Sequence, residues 1–78
     1  MNRKIKLIWD FKGEDAKAIA KHHQVHLEEF GIKENLPILA FGVEKINPIH
    51  FIAFLIVNEP QVIIVRDALL PHRAEIVE

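Results

Sequence analysis

Five histidines in 78 residues are the compositional excess with the most chemical content. His22 and His26 are four apart, so on a helix one ring stands above the other. Glu29, three residues beyond His26, continues the stripe. This His-x3-His-x2-Glu spacing can present two imidazoles and a carboxylate to one Zn²⁺ or similar ion. A working site also needs further ligands and an orienting outer shell, and His50 or His72 would have to be carried there by folding or dimerisation. The competing reading is a plain solvated surface, since Lys21, Glu28 and Glu29 make this stretch charged. No cofactor is expected, and a divalent metal on His22, His26 and Glu29 is the exception left open.

His23 belongs to a different face. It falls among Ala16, Ala20, Leu27 and Phe30, where a histidine is expected to be neutral and hydrogen-bonded to a backbone or carboxylate partner. The chemical alternative is a cavity between helix and sheet in which His23 donates to a ligand or shuttles a proton. His50, in phase with Ile52 and Phe54, is its candidate second member. Trp9 and Asp10 would wall or polarise the same cleft, although a tryptophan in this setting also reads as simple core. His23, His50, Trp9 and Asp10 are therefore the candidate ligand-binding set. His72, in Pro71-His72-Arg73, follows a helix end that positive side chains complement.

Much chemistry is excluded. The chain has no Cys, Ser, Thr or Tyr. That removes thiolates, disulfides, the serine triad and the hydroxyl of a P-loop. Glycines at 13, 31 and 42 are too far apart for a dinucleotide fingerprint. A net charge of -1 argues against nucleic acid as the main partner. The basic excess at Arg3, Lys4, Lys6 and Lys12 reads as terminal solubilising charge. His50-Phe51-Ile52-Ala53-Phe54 resembles an RNA-recognition strand but lacks its basic residue and glycine.

The uncharged run Leu7-Ile8-Trp9 is too short for a signal-peptide core. Ile46 to Asn58 is broken by Asn47-Pro48 and falls short of the roughly 20 residues of a membrane span. The expectation is a soluble, cytoplasmic protein with no membrane partner and one domain over residues 1–78.

The elements that must hold these residues follow from periodicity. Residues 4–11 alternate as a strand, with Ile5, Leu7, Trp9 and Phe11 on one side. Glu14 to Phe30 is predicted helix, with Ala16, Ile19, Ala20, His23, Leu27 and Phe30 on one face. Gly31 is expected to end it in the left-handed conformation. Ile38 to Ile46 and His50 to Val57 are strands around an Asn47-Pro48 turn. Gln61 to Leu70 is read as helix rather than strand, because Asn58-Glu59-Pro60 caps it and Val62, Val65 and Leu69 keep helical spacing. Pro71 stops it, and Ala74 to Val77 adds a short edge strand.

The order β-α-β-β-α-(β) predicts an α+β fold, an antiparallel sheet with both helices on one face. It resembles the ferredoxin-like two-layer sandwich, and is similar to dimeric α/β-barrel proteins and ACT-type regulatory domains. The resemblance is one of layout and carries no site over. Residues 50–57 are apolar on both faces, so the face away from the helices should show Ile52, Phe54 and Ile56 or Phe51, Ala53, Leu55 and Val57. Exposed apolar patches of that kind mark interfaces, which implies a homodimer through the sheet face. The leading functional expectation is a homodimeric small-ligand-binding or regulatory module without covalent catalysis. The alternatives are a dimeric α/β-barrel-type enzyme with a pocket histidine as acid/base, and a metal-binding protein.

Overall fold

The computed structural model describes residues 3–77. Alternation makes the first strand: in β1, Lys4–Lys12, the odd positions Ile5, Leu7 and Trp9 are buried while Lys6 and Asp10 on the other side stay half-exposed. The chain then crosses in a helix, α1 (Ala16–Lys33), to β2 (Ile38–Asn47). A tight turn leads to β3 (His50–Asn58), and one 3-10 turn at Glu59–Gln61 opens α2 (Val62–Leu69). The last strand is β4, Arg73–Val77.

The four strands form one sheet in the order β2-β3-β1-β4. Every neighbouring pair is antiparallel. Each helix thus joins two parallel strands and leaves a gap that another strand fills. The fold is α+β.

Both helices lie on one face. Leu27 of α1 and Val65 of α2 join Ile5, Leu7, Trp9, Ala53, Leu55 and Val57 in a single buried cluster. A satellite of Ala16, Ala20 and Phe51 closes the end near the β2–β3 turn. The smallest Cα extent, 18 Å, is that of one helix layer on one sheet.

The helix expected over 61–70 is present as Val62–Leu69 behind the 3-10 turn, so the β-branched run at 62–65 did not override helical spacing; Pro60 opens the turn, and Asn58 makes no side-chain cap bond. The end of α1 departs from expectation. Gly31 lies inside the helix, buried against the Ile38 side chain, whose Cγ1 would stand 3.2 Å from an added Cβ. Asn35 takes the left-handed position instead, at φ 53. Its N–H bonds Ile32 O at 3.2 Å, and Leu36 N–H reaches back to Gly31 O at 2.9 Å. These are the two bonds of a Schellman stop, so glycine here serves close packing and asparagine serves termination.

The face away from the helices also differs from the bare patch expected. Ile52 is only 2 % exposed and Ile8 1 %. Register sets Phe54 and Arg73 on either side of Ile8, and Lys6 and Asp10 stand two positions before and after it. Long and charged side chains therefore roof the centre of this face. Phe54 and Ile56 remain half-buried.

Candidate functional site

The four candidate ligand-binding residues separate into two pairs on opposite faces. Trp9 and His23 meet beneath the helices, and Asp10 and His50 meet on the open face. Period-two alternation forces the split, because Trp9 and Asp10 are consecutive in one strand.

Beneath the helices, the His23 ring lies 5.0 Å from the Trp9 ring and 5.4 Å from that of Phe11. Its Nε2 is buried and has no hydrogen-bond partner among the described residues. Burial lowers its pKa below the usual 6.5, and the nearby His26, His72 and His22 push in the same direction. Burial thus disfavours the protonated His23 ring, and the partner expected for it does not reach Nε2 among the described residues. Trp9 is 2 % exposed. Its indole N–H donates to Leu69 O at 2.9 Å and closes the end of α2. That carbonyl is one of the last in the helix, which cannot be satisfied within it.

On the open face, Asp10 is gripped from two sides. Arg73 donates through Nε to Oδ2 at 2.9 Å and through Nη2 to Oδ1 at 3.1 Å, a bidentate fork. His50 Nε2 donates to Oδ1 at 2.8 Å. These donors hold the Asp10 carboxyl down at about 2; Arg73 contributes most, partial burial opposes it, and His50 adds to it. Arg73 also donates through Nη1 to Glu75 at 2.9 Å. The Asp10 backbone N–H donates to His72 Nδ1 at 2.8 Å, so that nitrogen carries no proton. An Asp10 carboxylate committed in this way is a poor proton carrier near neutral pH.

The third group is exposed on α1. His22 and His26 place their Nε2 atoms 3.0 Å apart. His26 Nδ1 lies 3.8 Å from Glu29 Oε1, which is beyond a hydrogen bond. Neither His50 nor His72 completes a ligand set. Among the described residues, no group of three or more His, Asp or Glu is close enough to hold one metal ion.

Two open clefts flank α1. One, of about 490 Å³, runs along its C-terminal end against β2, between Glu28, Ile32, Asn35, Ile38 and Phe41. The other, of about 480 Å³, lies along its N-terminal half, with Val43, Pro48 and Phe51 as its apolar part and Lys17, Lys21 and Lys45 as its polar part. None of these three lysines belongs to the candidate sets drawn from the sequence. A signal was present for Lys45: it stands in phase with Phe41 and Val43, which face the helices.

No helix of the described chain is long and apolar enough to cross a membrane. Fold and site together define a small α+β protein with a four-stranded antiparallel sheet and two helices. Comparison with protein-family models, with curated proteins and with solved structures found no match.

Proposed function

We propose that this chain is a ferredoxin-like, homodimeric module that binds a small ligand or regulates by doing so, without covalent catalysis. The strand order β2-β3-β1-β4, with a helix between β1 and β2 and another between β3 and β4, supports the ferredoxin-like assignment. The observation that carries the functional reading is how the polar groups are spent. Asp10 is committed to Arg73 and His50, and Trp9 N–H to Leu69 O. The side chains along the cleft at Lys17, Lys21 and Lys45 are free of ion pairs among the described residues. Binding capacity lies in the clefts, not in a reactive centre. An acid/base enzyme would rely on the Asp10–His50 pair, but the Arg73 fork withdraws Asp10 from proton transfer.

Dimerisation rests on the sheet face. Phe54 and Ile56 form a half-buried apolar strip there, beside the paired charges Lys6–Glu44 and Arg73–Asp10. A twofold copy can match such a surface to itself. Light scattering at micromolar concentration should return twice the chain mass of 9.0 kDa. Native mass spectrometry of the intact 78-residue chain should show adducts with small anions or apolar molecules. A 9.0 kDa particle that takes up no small molecule would refute the proposal.

One observation favours metal binding as a second reading. The two Nε2 atoms, 3.0 Å apart and within hydrogen-bond distance, would need to part by only a few tenths of an ångström to reach the roughly 3.3 Å separation of two ligands on one tetrahedral ion bonded at about 2.0–2.1 Å. Since two ligands are too few, the remainder would come from water or a second copy. Elemental analysis of untagged protein should show one Zn²⁺ or Cu²⁺ per chain, or one per two chains where a second copy shares the ion, and metal below that ratio would exclude it.

A further inference from the structure

The geometry points to the cleft between the N-terminal half of α1 and β2 as a binding site for an amphipathic anion: a phosphate or carboxylate carried on a flat or chain-like apolar group. This rests on the binding-module reading above and names its ligand class.

Three basic side chains converge on this cleft, two of them against local stability rules. Lys17 is the second residue of α1, where the positive end of the helix disfavours cations. Lys21 follows at i+4, and like charges at that spacing repel. Lys45 pairs across the strands with buried Phe51, on the side of the sheet that faces the helices. Lys17 and Lys21 stand against helix stability, Lys45 is an exposed side chain of the edge strand β2, and none of the three has an ion pair among the described residues. Conflicts of this sort mark functional positions.

The floor supplies the second half of the recognition. Phe51 is 8 % exposed and packs with Ala16, Ala20, Phe11 and Val43. Pro48 closes the end at the β2–β3 turn. That turn is rigid: Ile49 N–H is held by Asn47 Oδ1 at 3.0 Å, and Ile49 O accepts Gly13 N–H at 2.7 Å. A cleft of about 480 Å³ lies within the size range of small-molecule sites. An apolar body would lie on Val43, Pro48 and Phe51, with its anionic end among the three ammonium groups. The cleft at the other end of α1 has Glu28 on its rim and no lysine, so it discriminates against the same ligand.

The test is amide-shift mapping by NMR on the full chain with 1-naphthyl phosphate, with 1-naphthol and inorganic phosphate as comparators. Naphthyl phosphate should saturate with a Kd of about 1 mM or tighter, moving amides at Lys17, Lys21, Val43, Lys45 and Phe51. Each comparator should bind at least about tenfold more weakly, since each keeps only one half of the recognition. Lys21→Gln with Lys45→Gln should weaken binding about tenfold. If that variant does not fold, raising salt on the native chain serves instead and should weaken binding several-fold.

Equal affinity for naphthol, no saturation, indifference to the lysines, or shifts centred on Glu28, Ile32 and Phe41 would each overturn the inference. In the last case the binding-module reading survives and only the assigned site and ligand class fall. A 9.0 kDa mass by light scattering would remove the dimer and leave this site untouched.

Discussion

Asp10 and His23 show how far a residue's surroundings depend on pairings that neighbours in sequence do not reveal. Alternation alone separates Trp9 from Asp10. The clasp on Asp10, however, comes from Arg73 and His50, which lie 63 and 40 positions away. No local pattern encodes those registers. The clasp gives a signed prediction. Because folding lowers the Asp10 pKa from 3.8 to about 2, its stabilisation is complete above about pH 3.8 and disappears as pH falls through about 2. Asp10→Asn should cost about 1 kcal/mol at pH 7, after allowance for solvent screening, and should flatten the acid limb of a urea-denaturation series. A variant as stable as the parent would show that the clasp is only geometric. His23 predicts a second pH effect. Its folded pKa lies below 6.5, so below about pH 6.5 the unfolded chain takes up a proton that the folded chain refuses. Stability should therefore fall as pH drops through that range. His23→Leu should reduce this loss between pH 8 and 5.5, and an unchanged slope would show that His23 is not its source.

The elements were largely legible because each carries its own period: two in β1, 3.6 in α1 and α2. The ends were less so. Gly31 reads as a stop only while its tertiary neighbour Ile38 is unknown, and Asn35 performs the stop four residues later. Gly31→Ala sets two effects against each other. Alanine improves helix propensity by about 1 kcal/mol, but its methyl must displace the Ile38 side chain from the edge of the main core. Overpacking of this kind costs about 1–3 kcal/mol, so the net result should be a loss of about 1 kcal/mol, and Ile38→Val in the same background should recover part of it. Independent, additive effects in that double-mutant cycle would show that the two do not touch. At the end of α2, Leu70 adopts φ 47 and is 72 % exposed. It bears backbone strain and gains little from burial. Leu70→Gly should therefore stabilise by about 0.5 kcal/mol in thermal unfolding, the relief of strain exceeding glycine's entropy in the unfolded chain.

For the molecule as a whole, the deciding matter is which surface a second copy would cover. The apolar pattern of residues 50–57 fits both faces of β3, yet it says nothing of the roof that Lys6, Phe54 and Arg73 build over Ile8. Phe54 lies across Gly42, where an added Cβ would meet its Cε2 at 3.1 Å. Lys6 Nζ stands 4.6 Å above the ring and is held there by Glu44 at 2.7 Å. Part of the apolar face is thus satisfied within one chain, which lowers the gain from association. A standard interface takes roughly 800 Å² from each copy, against a total surface of 5170 Å² here. With extents of 39 and 27 Å, the broad face is large enough to provide that area. The half-buried Phe54 and Ile56 and the aliphatic stem of Lys6 stand in phase on that face, so the dimer proposed above should be of modest affinity. Ile56→Lys provides the test. Ile56 is half-buried and stands opposite Lys6 in the register, so a second ammonium there repels Lys6 within the chain and its own copy across a twofold axis. Light scattering should show mass falling from twice 9.0 kDa to 9.0 kDa with thermal stability lowered only modestly. If the variant remains a dimer, the partner sits elsewhere, and the exposed Ile63, Ile64, Leu70 and Ile76 around α2 and β4 become the surface to substitute next.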